Sequence, residues 1–247
     1  MIRLCLLSVL LLMPLAQAKS QANRSVTFST SFSIAPFFTE DRHNGIQYQL
    51  LKQALQHRQL TLGDIAFTPP KRALRLLLAG QVDCLINAPP GLKGMHYTPS
   101  LLSYQNSIFL LADNQRIIEQ VADLSHMRLA AFQNASHYLG AEFAKMARLN
   151  PDYSEIANQS NQVAMLLGNR VEAIVLERRI FAYNYQKLAE KKDSLPPVRE
   201  VLLFEEAPRF LACRDPEIAA EITAGIEWLY EQGVAERILA EPPQFDD

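Results

Sequence analysis

The phrase "LLLAGQVDCLI" at 76–86 returns as "MLLGNRVEAIV" at 165–175. Leu77 and Leu78 fall on Leu166 and Leu167, Val82 on Val171, Asp83 on Glu172, and Leu85-Ile86 on Ile174-Val175. A Leu-rich helix end, a turn and a buried strand repeated in this way imply two units of one plan. Short Leu-rich helix ends resemble one another by chance, so the weight rests on what precedes each copy.

Both copies close the same series. In the first, "VTFSTS" (26–31) reads as a strand, and "GIQYQLLKQALQHR" (45–58) sets Ile46, Leu50, Leu51, Ala54 and Leu55 on one helical stripe. "DIAFTP" (64–69) is a second strand. "KRALRLLLAG" is a helix opened by Pro69-Pro70 and ended by Gly80 in the left-handed conformation, and "VDCLIN" (82–87) is a third strand. In the second, "RLAAFQ" (128–133) is a strand, and Ser136 stands as N-cap of "HYLGAEFAKMARL", with Leu139, Phe143 and Met146 on one face. "SEIANQ" (154–159) is a weaker strand, and "SNQVAMLLGN" is a helix with Ser160 as cap and Asn169 in the place of Gly80. "VEAIVL" (171–176) completes the set. The order β-α-β-α-β therefore occurs twice, which predicts two α/β lobes with largely parallel, buried sheets.

Two segments belong to neither unit. "YQNSIFLLAD" (104–113) and "EVLLFEEAPRFLACR" (200–214) are extended and lie where the chain must leave one lobe and return. Asp215-Pro216 then opens a helix with Ile218, Ile222, Ile226 and Leu229 as its apolar stripe and Gly233 at its end. If that helix packs on the first lobe, the chain crosses twice, and a cleft between hinged lobes follows. The expected organisation is a leader over 1–18, a first lobe from 19–109 plus 204–247, and a second lobe from 110–203.

The leader expectation rests on "MIRLCLLSVLLLMPLAQAKS": a basic start at Arg3, an apolar run from Leu4 to Leu15, and a small-x-small end. The run is shorter than the roughly 20 residues of a membrane span. Cleavage after Ala18 and a periplasmic location are expected. Export leaves Cys84 and Cys213 free to pair, but two cysteines in apolar runs are no disulfide framework, and the simpler expectation is two buried, inert thiols. A net charge of −2 gives no footprint for nucleic acid. The five histidines are scattered without metal-ligand spacing, and no nucleotide loop or nucleophile elbow is present, so neither metal nor cofactor is expected. His96 and His137 could lie near the cleft and act as bases, but a structural or solvated role is the simpler reading of each.

"SIAPFF…NGIQYQLLKQAL…FTPPKRALRLLLAGQVDCLI", with "YTPSLLSYQNSIFLLA", resembles the first lobe of family 3 extracellular solute-binding proteins, the receptors for polar amino acids in bacterial ABC uptake systems. "DLSHMRLAAFQNASHYL", "LLGNRVEAIVLERRIFAYNY" and "DPEIAAEITAGIEWLYEQGVAERIL" resemble their second lobe and C-terminal return. The resemblance spans residues 26–240 and is carried by the order of phrases. It implies a two-lobe periplasmic-binding-protein-like fold of type II, a small polar solute as ligand, a membrane permease or a sensor receptor as partner, and a monomer. It implies binding without turnover, although a few proteins of this fold are enzymes such as dehydratases.

The resemblance also assigns residues. Ser136 matches the hydroxyl that holds the ligand carboxylate, where a helix N-terminus favours an anion; it would equally serve as an N-cap worth about 1 kcal/mol. Glu177 matches the acidic residue that takes the ligand ammonium; the alternative is a surface carboxylate paired with Arg178, Arg179 or Lys187. The first lobe departs from the pattern. Ile34 stands where an aromatic precedes "APF", leaving Phe32 or Phe37 to stack on the ligand or to serve the core. The loop "NAPPGLKGMHYTP" (87–99), headed by Asn87, is short and has prolines where hydroxyls would be. Lys93 is the only strong cation near the place of the usual carboxylate-binding Arg, and Arg72, at a helix start, is the other candidate.

Overall fold

The computed structural model describes residues 24–31, 34–39, 43–192 and 194–240. The expected leader over 1–18, its cleavage site and Phe32 lie outside the described residues.

The first unit forms β1 (Ser25–Thr30), α1 (Ile46–His57), β2 (Thr61–Phe67), α2 (Pro70–Leu78) and β3 (Cys84–Ile86). The edge strand β4 (His96–Tyr97) and the hinge strand β5 (Leu102–Tyr104) follow. The second unit forms β6 (Asn106–Leu111), β7 (Leu129–Phe132), α3 (Ala135–Tyr138), α4 (Gly140–Leu149), β8 (Tyr153–Ile156), α5 (Gln159–Leu167), β9 (Ala173–Glu177), α6 (Arg178–Ala189) and β10 (Val198–Val201). The chain returns through β11 (Ala207–Arg209) and β12 (Leu211–Cys213), and ends in α7 (Pro216–Glu231) and α8 (Val234–Ala240).

These strands make two main sheets, ordered β2-β1-β3-β12-β4 and β10-β6-β9-β7-β8. In each, three parallel strands of one unit are joined by an antiparallel strand that has just crossed from the other lobe: β12 beside β3, and β6 beside β9. The repeat expected from sequence is thus a repeat in space. Its acidic position has the same task in both units. Asp83 Oδ2 accepts from the N–H and hydroxyl of Thr27 at 2.8 and 2.7 Å, and Glu172 Oε2 accepts from the Arg128 N–H at 3.0 Å, each pinning the first strand of its unit to the third. The turn residues correspond as well: Gly80 and Asn169 both adopt positive φ, 70° and 51°.

All five stripe residues of α1 are buried. So are Ile218, Ile222, Ile226 and Leu229 of α7, which packs across α1 and closes the first lobe. Gly225 allows that approach, since a Cβ there would lie 2.3 Å from the Ala54 carbonyl oxygen.

Four expectations need correction. The lobe boundary drawn after residue 109 falls inside β6, which pairs along its length with β9 and β10 of the second sheet; the crossing itself lies at β5, paired antiparallel with β11. The helix expected after β7 is broken at Gly140, whose φ of 90° separates α3 from α4, and its N-cap position is Asn134 rather than Ser136. The α5 cap is Asn158, whose side chain accepts from the Asn161 N–H at 3.0 Å, rather than Ser160. Finally, Cys84 and Cys213 are joined. β12 returns antiparallel to β3 and sets the two residues directly opposite, with Cα atoms 4.1 Å apart. That adjacency spans 129 residues of sequence and arises only from the return crossing.

Candidate functional site

The hinge pair β5·β11 sets Tyr104 opposite Ala207 and Arg209 opposite Leu102. Residues two apart share a strand face, so Tyr104 and Arg209 are diagonal neighbours on one side of the ribbon. The Arg209 guanidinium carbon lies 4.2 Å from the Tyr104 ring centroid. Phe37 stacks on the same ring, with centroids 4.2 Å apart and planes at 24°. Phe37 is fully buried, so it serves the core and the hinge aromatic together.

Polar groups converge here from the first lobe. Gln47, on α1 and wholly buried, donates from Nε2 to Asn87 Oδ1 at 2.7 Å, and the Tyr104 hydroxyl approaches Gln47 Oε1 at 3.4 Å. Asn87 has a φ of 56° at the end of β3, a conformation Asn tolerates and one that turns its amide toward α1. Burial raises the Tyr104 phenol well above its ordinary range, and the nearby Arg209 charge opposes the shift. Tyr104 is a neutral hydroxyl at any physiological pH.

The second lobe supplies Glu177 at the end of β9. Its side chain is 3% exposed, and Oε2 accepts from the N–H groups of Arg179 and Ile180 at 2.7 and 2.9 Å, capping α6. Oε1 has only long contacts, 3.4 Å from the Gln105 N–H and 3.8 Å from Arg179 Nη1. Burial raises the Glu177 carboxyl above the usual range, opposed by its backbone donors and by Arg179. One oxygen is therefore committed to the helix, and the other retains accepting capacity for a cation. Glu177 is buried rather than at the surface, but the pairing with Arg179 that the alternative expected is present at 3.8 Å.

Ser136 is placed differently. Glu155 Oε1 accepts from the Ser136 N–H at 3.0 Å and hydroxyl at 2.7 Å, and also from the Tyr153 hydroxyl at 2.9 Å, while Oε2 accepts from the Asn134 N–H at 2.7 Å. Burial pushes this carboxyl up, but the four donors hold it below the usual glutamate range. The donors expected to meet a ligand carboxylate already hold one from the chain itself.

The remaining candidates lie apart from this cluster's contacts. Lys93 is exposed on the short loop after β3, which folds back onto the β4 edge through the Leu92 N–H on the Tyr97 hydroxyl at 3.0 Å. Arg72 is exposed on the first turn of α2. The hinge brings together Phe37, Asn87 and Glu177 from the expected set, and adds Gln47, Tyr104 and Arg209. The one hint of Arg209 in sequence is its place beside Pro208 and Phe210 in the extended return segment; its alignment with Tyr104 needs the β5·β11 register.

No protein-family model and no curated protein matches the sequence. Among solved structures, the fold is similar to an ancestral cationic amino acid solute binding protein (AncCDT-1), with 18% identity and a TM-score of 0.68 over 89% of this chain and 96% of that one. It is similar to the GluR0 ligand binding core in complex with L-glutamate, with 13% identity and a TM-score of 0.70 over 90% and 100%. It is also similar to the second substrate binding domain of a putative amino acid ABC transporter from Streptococcus pneumoniae Canada MDR_19A, with 14% identity and a TM-score of 0.64 over 89% and 100%. These likenesses establish the two-lobe, periplasmic-binding-protein-like fold.

Proposed function

We propose that the protein is an exported receptor that closes its two lobes around a small polar solute carrying an amino group, an amino acid or a related amine, and delivers it to a membrane permease. The observation that carries this reading is the convergence at the hinge of aromatic, amide and carboxylate groups from both lobes, with Glu177 Oε1 short of donors. Glu177 takes the ammonium by a charge-assisted bond, Tyr104 backed by the buried Phe37 walls the carbon skeleton, and Asn87 orients a polar group of the ligand. Lys93 and Arg72, both exposed, are assigned no contact in this reading. Ligand shifts an open–closed equilibrium, and the partner reads the closed state.

The test is a thermal-shift screen of amino acids, polyamines and small organic acids. A ligand at a hundred times its Kd adds about 2.7 kcal/mol to stability. A hit that survives Glu177→Ala with unchanged affinity would remove Glu177 from the site. A stable stoichiometric complex separates binding from turnover, and transfer to a sensor kinase rather than a permease would mark the protein as a sensory module.

A further inference from the structure

Arg209 is a strong cation at the hinge that the roles above leave unused. Its Nε is sealed from water and has no hydrogen-bond partner, and none of its guanidinium nitrogens forms an ion pair among the described residues. Buried polar groups are almost always satisfied, so a guanidinium N–H left without an acceptor at the hinge is a candidate position for one that arrives when the surroundings rearrange. The side chain as a whole is only partly buried, which leaves its outer edge within reach of a solute. The guanidinium lies over the Tyr104 ring, a contact that uses its face, and its N–H groups are suited to a planar, bidentate anion. Burial lowers the Arg209 pKa, while Tyr104, Glu177 and Tyr138 oppose that shift, the last two being side chains of the second lobe.

The anion seat that the resemblance assigns to Ser136 is taken. Glu155 fills both Ser136 donors and the Asn134 N–H, so a carboxylate arriving there would have to evict one already holding four hydrogen bonds. We propose that the ligand's carboxylate is held by Arg209 on the return strand of the hinge, in place of Ser136 on the second lobe or a cation on the loop after β3. This rests on the receptor reading and refines it: the solute carries its carboxylate toward the hinge and its ammonium toward Glu177.

The test has two arms. In the first, acetate is titrated against chloride at matched ionic strength while the Arg209 Nε–H resonance is followed, assigned by its loss in Arg209→Lys. A saturable shift with acetate alone is expected. No saturable shift, or one produced by phosphate and not by acetate, overturns the proposal whatever solute the cleft takes. In the second, affinities are measured for any L-amino acid that binds and for its decarboxylated amine. Arg209→Gln should weaken the amino acid at least 100-fold and the amine less than threefold, while Arg178→Gln, a surface control paired with Glu200, should change neither by more than threefold. Loss of amino-acid binding in Ser136→Ala with none in Arg209→Gln overturns it. Failure of every amino acid to bind counts against the receptor reading, and the acetate arm then decides the role of Arg209 alone.

Discussion

Glu155 and Ser136 form a closed pair: one carboxylate oxygen accepts both the N–H and the hydroxyl of the serine, at 3.0 and 2.7 Å. A segment that would otherwise present free donors to the cleft is fastened to β8 instead. Glu155→Gln should therefore lower stability by about 1–2 kcal/mol, the scale of a lost charge-assisted bond, read by urea denaturation at neutral pH.

The same pair fixes a pH dependence. The folded-state Glu155 carboxyl lies below its ordinary value of 4.5, so its contribution is fully present above that value and is lost as pH falls through the lower folded-state value. Acid unfolding of Glu155→Gln should be less steep below about pH 4.5 than that of the parent. Equal steepness would show that the four donors do not favour the ionised form.

Glu177 has the opposite sign. Burial raises its carboxyl, so its protonated form stabilises the fold, and that contribution is lost as pH rises through the raised value. A ligand ammonium needs the ionised form, so affinity for a cationic ligand should fall as pH drops through the same window. Glu177→Ala should also cost about 1–2 kcal/mol by uncapping α6, measurable without any ligand.

Cys84 and Cys213 close a loop of 129 residues, for which loop-closure entropy gives about 5 kcal/mol as an upper bound. Cys84→Ser, or the parent under reductant, should lower the urea midpoint by a large fraction of total stability. An unchanged midpoint would mean that the unfolded chain is already compact.

Gly225→Ala tests the seam between α1 and α7. Alanine favours a helix over glycine by about 1 kcal/mol, yet its methyl would sit 2.3 Å from the Ala54 carbonyl oxygen, backbone that cannot turn aside. Overpacking of this kind costs about 1–3 kcal/mol, so net destabilisation is expected in thermal melts.

Local periodicity carried most of the fold. The stripes of α1 and α7 and the turns at Gly80 and Asn169 are set by residues near in sequence and were readable from it. So was the repeat that aligns Asp83 with Glu172, though not their bonds to Thr27 and Arg128. What escaped depends on strands meeting across the chain. The Cys84–Cys213 bond needs β12 laid against β3, the Arg209–Tyr104 stack needs the β5·β11 register, and the Glu155–Ser136 pair needs β8 beside the turn after β7. The caps were misplaced for a related reason: Asn134 at φ 65° and Asn158 serve where a nearby serine offered the simpler pattern.

Because the only bond between cysteines ties the strand before the outward crossing to the strand after the return, among the described residues the whole second lobe hangs as a covalent ring from the first. A protease that nicks any exposed turn between residues 85 and 212 cannot release a fragment. The cut protein should migrate as one species without reductant and separate into two with it.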